Sequence, residues 1–172
     1  MVYMGLDLAT HRTGCCVFND NNLIYYANID ANEKDDFRNR IRCIANEIDV
    51  IIKKYSPNKI FLEDAPIIKN SSASMLLIMQ GYILSVIDKY NILVKLFQPS
   101  EWRKEIGIIG KNGRAALKTD EIKQRTIDYV NKRFDLNFFY KKDSIKSDDN
   151  IADAIGVACC GMLRCLSVKR DV

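Results

Sequence analysis

Apolar and polar positions divide the chain into a strand-rich first third followed by alternating helices and strands. Val2-Tyr3-Met4-Gly5-Leu6-Asp7-Leu8-Ala9 has the composition of a buried strand. Thr10-His11-Arg12-Thr13-Gly14 turns the chain, and Cys15 to Phe18 form a second strand. The cluster Asn19-Asp20-Asn21-Asn22 is a strong turn, and Leu23 to Ile29 form a third strand. Over residues 33–54 the spacing of Phe37, Ile41, Ile44, Ile48 and Ile51 predicts a helix, broken at Ser56-Pro57-Asn58. A fourth strand follows at Ile60. Ser71 or Ser72 is the expected cap of a second helix reaching about Tyr90. Ile92 to Gln98 form a fifth strand, ended by Pro99, and Ser100-Glu101-Trp102-Arg103-Lys104 start a short helical turn. Gly107, Gly110 and Gly113 mark a basic loop. Thr119 is the expected N-cap of a helix carrying Ile122, Ile127 and Val130, and after a polar stretch over 135–148 a last helix begins near Asp148 and reaches about Leu166.

This order predicts an α/β fold: a five-stranded mixed sheet, three antiparallel strands and then parallel ones, with helices on both faces. At 172 residues with a hydrophobic fraction of 48%, one domain over 1–172 has material for a sizeable core. No basic segment followed by an apolar signal core opens the chain. The apolar stretch Ala73 to Ile87 is interrupted by Gln80, Gly81 and Tyr82. It suits a buried or interface helix better than a bilayer span, so no membrane partner is expected. Met75, Leu76, Leu77, Met79, Ile83, Leu84, Val86 and Ile87 cover more of that helix than one sheet face can bury. A dimer interface over residues 73–90 and a monomeric core are the two readings.

Six cysteines, none in a CxxC pair, and a single histidine argue against zinc and for reduced thiols in a cytoplasmic protein. The net charge of +4 permits a nucleic-acid partner without requiring one. Its distribution is more pointed, since Arg103 to Arg125 contains seven Lys or Arg against three acids.

The chemistry is suggested by acids standing where apolar residues belong. Asp7 interrupts the first strand, Lys59-Ile60-Phe61-Leu62-Glu63-Asp64 ends the fourth in two acids, and Asp153 lies inside the apolar run of the last helix. A buried carboxylate is costly unless something positive compensates it. Asp149 and Asp153, four apart, share one helix face. Three elements can thus deliver four carboxylates to one point, a hard oxygen set suited to Mg²⁺ or Mn²⁺. Two such ions about 4 Å apart activate a water and stabilise the leaving oxygen of a phosphodiester. Each acid alone has a plainer reading: Asp7 as a strand-end acid bonded to the next turn, Glu63 or Asp64 as a solvated terminus, Asp148 and Asp149 as helix N-terminal charges.

Gly5-Leu6-Asp7-Leu8-Ala9-Thr10-His11-Arg12-Thr13-Gly14, Phe61-Leu62-Glu63 and Asp149-Asn150-Ile151-Ala152-Asp153-Ala154-Ile155 resemble, in order, the motifs of RuvC-type Holliday junction resolvases. Pro99-Ser100-Glu101-Trp102-Arg103 and the basic loop resemble the phage-encoded branch, which would place the protein in a host cytoplasm. The resemblance implies a ribonuclease H-like fold and a homodimer that nicks four-way DNA junctions by two-metal hydrolysis. It further implies that Asp7 bridges the metals with Glu63 and Asp153 as ligands. The family's fourth ligand position falls on Asn150 here, and Asp149, four residues before Asp153 on the same helix face, is the preferred fourth ligand, with Asn150 the alternative. Arg103 and Lys118 are the candidates to hold the scissile phosphate, and Lys104, Lys111 and Arg114 to bind the DNA backbone. A YqgF-type RNA-processing nuclease and a non-catalytic branched-DNA-binding module are the alternatives.

Overall fold

The computed structural model describes residues 1–65, 67, 70–110, 117–142, 144 and 146–168. Five strands, β1 (Val2–Asp7), β2 (Arg12–Asn19), β3 (Asn22–Asp30), β4 (Lys59–Glu63) and β5 (Leu93–Phe97), form one sheet in the order β3-β2-β1-β4-β5. The β1–β2 and β2–β3 pairs are antiparallel, and β1–β4 and β4–β5 are parallel. The helices are α1 (Phe37–Tyr55), α2 (Ser71–Asp88), α3 (Pro99–Glu105), α4 (Thr119–Phe134) and α5 (Asp149–Val168). The mixed sheet with helices on both faces is as the sequence pattern predicts.

Alternation along the strands builds a core on each face of the sheet. Met4, Leu6, Cys15, Val17, Ile60 and Leu62 face one way and pack with the apolar stripes of α1 and α2. Cys16, Phe18, Phe61 and Phe97 face the other way and pack with α3, α4 and α5. Nearly the whole first half of α5, from Ile151 to Cys160, is buried. All six cysteines are free thiols, as their lack of pairing motifs suggests.

Element ends depart from the sequence reading where tertiary bonds decide them. The second strand begins at Arg12 rather than Cys15, because Arg12 and Thr13 pair with Asp30 and Ile29 of β3. Asn70, not Ser71 or Ser72, caps α2 by accepting the Ala73 N–H at 2.7 Å. Thr119 is the first residue of α4 and not its cap. That place falls to Lys118, whose side chain makes no capping bond.

Helix α2 is long and apolar enough, by composition, to cross a membrane. One side of it, with Met79, Ile83, Val86 and Ile87, is buried in the α1/α2 core. The other side leaves Leu77, Ile78 and Tyr82 exposed.

Candidate active site

The alternation that builds the cores also aims the acids. In β1 the even residues Met4 and Leu6 enter the α1/α2 core. Gly5, and by the same period Asp7, therefore face α5. In β4, Phe61 faces α5, so Glu63 does too. The parallel ladder pairs Gly5 with Phe61 and Leu6 with Leu62, which sets Asp7 and Glu63 side by side at the ends of neighbouring strands. Asp64, the next residue, is turned to other work: its carboxylate accepts from Gln80 Nε2 at 3.1 Å and Gln98 Nε2 at 2.6 Å. Glu63 is thus the acid on the α5 face.

Helix α5 supplies Asp153 because it lies unusually close to the sheet. A Cβ on Gly5 would fall 2.3 Å from the Ala154 carbonyl oxygen, and one on Gly14 would fall 1.9 Å from the Asn150 carbonyl oxygen. Only glycine permits this contact. Asn150 locks it, donating from Nδ2 to the Arg12 carbonyl at 2.7 Å. Its amide is a tie between α5 and β2, which accounts for an uncharged residue at this position.

Among the described residues, two cations are set among the acids. Arg103 of α3 bonds Asp153 Oδ2 at 2.8 Å and lies 3.5 Å from Glu63 Oε2. Its guanidinium stacks 4.6 Å from the centre of the Trp102 ring. Trp102 is fully buried, and its Nε1 donates to Glu63 Oε2 at 2.7 Å, which orients that carboxylate. Lys123 of α4 forms an ion pair with Asp149.

The balance of charge differs among the acids. Burial pushes the Asp7 carboxyl well above the ordinary carboxylate range, and repulsion from Glu63 and Asp153 adds to it, against a smaller pull from Arg103 and Lys123. Burial likewise raises Asp153, although Arg103 opposes it. For Asp149 burial acts upward too, but the hydrogen bonds from Lys123 and Ser147 prevail and hold the carboxyl below its ordinary value. Asp153 Oδ1 is buried without a hydrogen-bond partner. A crowded set of oxygen acids with an orphaned carboxylate oxygen fits a hard divalent cation. Among the described residues no three candidate ligands stand close enough to form a closed cage. Arg103 holds Asp153 instead, so chelation requires that pair to open.

The structure therefore brings Asp7, Glu63, Asp153 and Arg103 together, with Asp149 beside them through Lys123. It leaves Lys104 and Lys118 exposed, at α3 and at the start of α4. Lys111 and Arg114 lie outside the described residues. Sequence reasoning missed Lys123, although the stripe Ile122, Thr126, Ile127 and Val130 places it at the edge of the buried face of α4. It also missed Trp102 as the partner of Glu63 and Asn150 as a tie. Beside the acids opens a cleft of about 760 Å³, lined by Arg12, Lys123, Lys141 and Lys142 with Asp149 and Asn150 at one side.

The family model for the crossover junction endodeoxyribonuclease RuvC matches residues 3–161. The RuvC of Rickettsia akari is 31% identical over 111 residues, covering 62% of this chain and 71% of that protein. The RuvC of Rickettsia prowazekii is 29% identical over 122 residues, covering 68% and 78%. Among solved structures, Thermus thermophilus RuvC in complex with Holliday junction substrate superposes with a TM-score of 0.73 at 14% identity, covering 96% of each chain. The yeast mitochondrial Holliday junction resolvase superposes with a TM-score of 0.57 at 13% identity, covering 93% of this chain and 78% of that one. These two likenesses concern the fold.

Proposed function

Since the chain belongs to the RuvC family of crossover junction endodeoxyribonucleases, we propose that it is a structure-specific endonuclease that cleaves Holliday junctions, and other branched DNA, by metal-dependent phosphodiester hydrolysis. A single nuclease domain over 1–172 carries the activity. The observation that supports this most is the convergence of Asp7, Glu63 and Asp153 from β1, β4 and α5 on one face, with the Asp153 Oδ1 orphaned.

In this reading Asp7, Glu63 and Asp153 hold the divalent cation, Mg²⁺ with Mn²⁺ able to substitute. When bound, such an ion polarises a phosphoryl oxygen and lowers the pKa of a water toward neutrality. Trp102 keeps Glu63 in place through its 2.7 Å bond. Arg103, once released from Asp153, is placed to offer its guanidinium to the scissile phosphate, where a fixed donor stabilises developing charge. Lys118 is the second candidate for the scissile phosphate, and Lys104, Lys111 and Arg114 serve the DNA backbone, which gives affinity without reading sequence. The basic cleft at Lys123, Lys141 and Lys142 continues that surface.

A four-way junction presents paired strands of matching geometry, and a two-fold dimer would address two of them alike. The exposed side of α2, with Leu77, Ile78 and Tyr82, is an apolar surface suited to a second copy of the chain. The protein would act as a soluble homodimer in the cytoplasm, with no membrane partner.

The test is Mg²⁺-dependent nicking of a synthetic four-way junction beside a linear duplex of the same sequence. The wild type is expected to nick the junction. Asp7→Asn is expected to lower the single-turnover rate by about 10³-fold or more, the scale of several kcal/mol of transition-state stabilisation, while still shifting the junction in a gel. Cleavage by Asp7→Asn at the wild-type rate would refute the assignment.

A further inference from the structure

Four carboxylates, Asp7, Glu63, Asp149 and Asp153, suggest a pair of metal ions, yet the side chains around them divide the set. Asp7, Glu63 and Asp153 crowd one another, and Arg103 pairs with both Glu63 and Asp153. Asp149 stands apart, with its carboxylate already taken by the Lys123 ammonium. That ammonium lies 5.6 Å from the centre of the Tyr140 ring, a cation–π contact that helps fix it. Its charge also reaches Asp7 and Asp153, drawing both toward the ionised form. Asn150, on the same turn as Asp149, is a neutral amide whose Nδ2 donates to the Arg12 carbonyl.

Among the described residues, the four formal negative charges thus face two side-chain cations, Arg103 and Lys123. One divalent ion neutralises the remainder. A second would leave surplus positive charge among partly buried groups, which is costly. A lysine ammonium is a compact point charge with three donors. It can hold Asp149 and still present a donor to the open cleft, where a substrate phosphate oxygen would lie.

Resting on the metal-dependent reading above, we propose that Lys123 stands in for a second metal ion: its ammonium fills the subsite at Asp149, and each protomer carries a single divalent cation, between Asp7, Glu63 and Asp153. Lys123 would then be a permanent, protein-borne charge on the substrate side of the site.

The experiment is a Mn²⁺ titration of the purified protein by calorimetry, with free Mn²⁺ counted by electron paramagnetic resonance. The wild type is expected to bind one ion per protomer. Lys123→Met frees Asp149 and is expected to bind two, and Lys123→Arg to remain at one. The Mg²⁺ dependence of single-turnover cleavage should be about first order in the wild type and approach second order in Lys123→Met. Two comparable ions on the wild type would overturn the proposal, and so would a folded Lys123→Met that still binds one. Should Lys123→Met fail to fold, Asp149→Asn decides: it is expected to keep the ion, and its loss would overturn the proposal. If the wild type binds no ion, the metal-dependent reading itself fails.

Discussion

Asp7 is destabilising where it stands, and this gives the residue scale its clearest prediction. Its carboxyl is raised by burial and by repulsion from Glu63 and Asp153. The native state therefore binds a proton that the unfolded chain has already released. Stability is lost as pH rises from the ordinary carboxylate value through the raised one, and the loss persists at neutral pH. With chelator present, Asp7→Asn should melt above the wild type at neutral pH, by about 2–4 °C for each kcal/mol relieved. The gap should close as pH falls below the ordinary carboxylate range. A scan series over pH checks this, and a lower melting temperature for Asp7→Asn at neutral pH would contradict it. The anomaly of Asp7 and Asp153 in apolar runs was legible in the sequence because burial of a charge needs a reason. Which neighbour of Asn150 faces the site was not legible. That depended on the Arg12 carbonyl and on Lys123, which are distant in sequence and meet α5 only through the fold.

At the scale of elements, the site depends on how closely α5 lies against β1 and β2. Gly14 meets the backbone of Asn150, which cannot yield unless the helix moves. Gly14→Ala should cost about 1–3 kcal/mol, the usual range for overpacking, and lower Mn²⁺ affinity because Asp149 and Asp153 travel with the helix. Thermal melting and calorimetry measure both effects, and wild-type values for both would show that the helix has room. The strands and helices were readable from their periods, since period two in β1 and β4 also fixed which way Asp7 and Glu63 point. Their ends were less so: Arg12 joined β2 through pairing to β3, and Asn70 took the cap expected at Ser71 or Ser72. Local chemistry proposes several ends, and a long-range bond selects among them. Residues 111–116 of the basic loop, with Lys111 and Arg114, lie outside the described residues.

At the scale of the whole molecule, α2 carries apolar side chains on two sides, and only one of them is buried. Ile78 is 60% exposed and Tyr82 45%. Their joint replacement by aspartate should leave the fold intact and convert a dimer into a monomer in sedimentation equilibrium. A monomeric wild type at concentrations where junctions are cut would remove α2 as an interface. Paired incision should then be lost in the double variant while single nicks persist. Junction binding should also weaken steeply with salt, as expected for a basic surface that displaces counterions from phosphates.

The proposed junction-cutting activity joins these scales: acids aimed by strand period, held by a close helix and, in the proposed homodimer, doubled by a two-fold partner. It is tested most directly by mapping the nicks that the wild type makes, with Mg²⁺, in a four-way junction labelled on each strand in turn. The account predicts nicks on one opposing pair of strands at symmetry-related positions, absent with chelator and absent from a linear duplex. Incision of linear duplex as readily as of the junction, or no Mg²⁺-dependent incision at all, would contradict it.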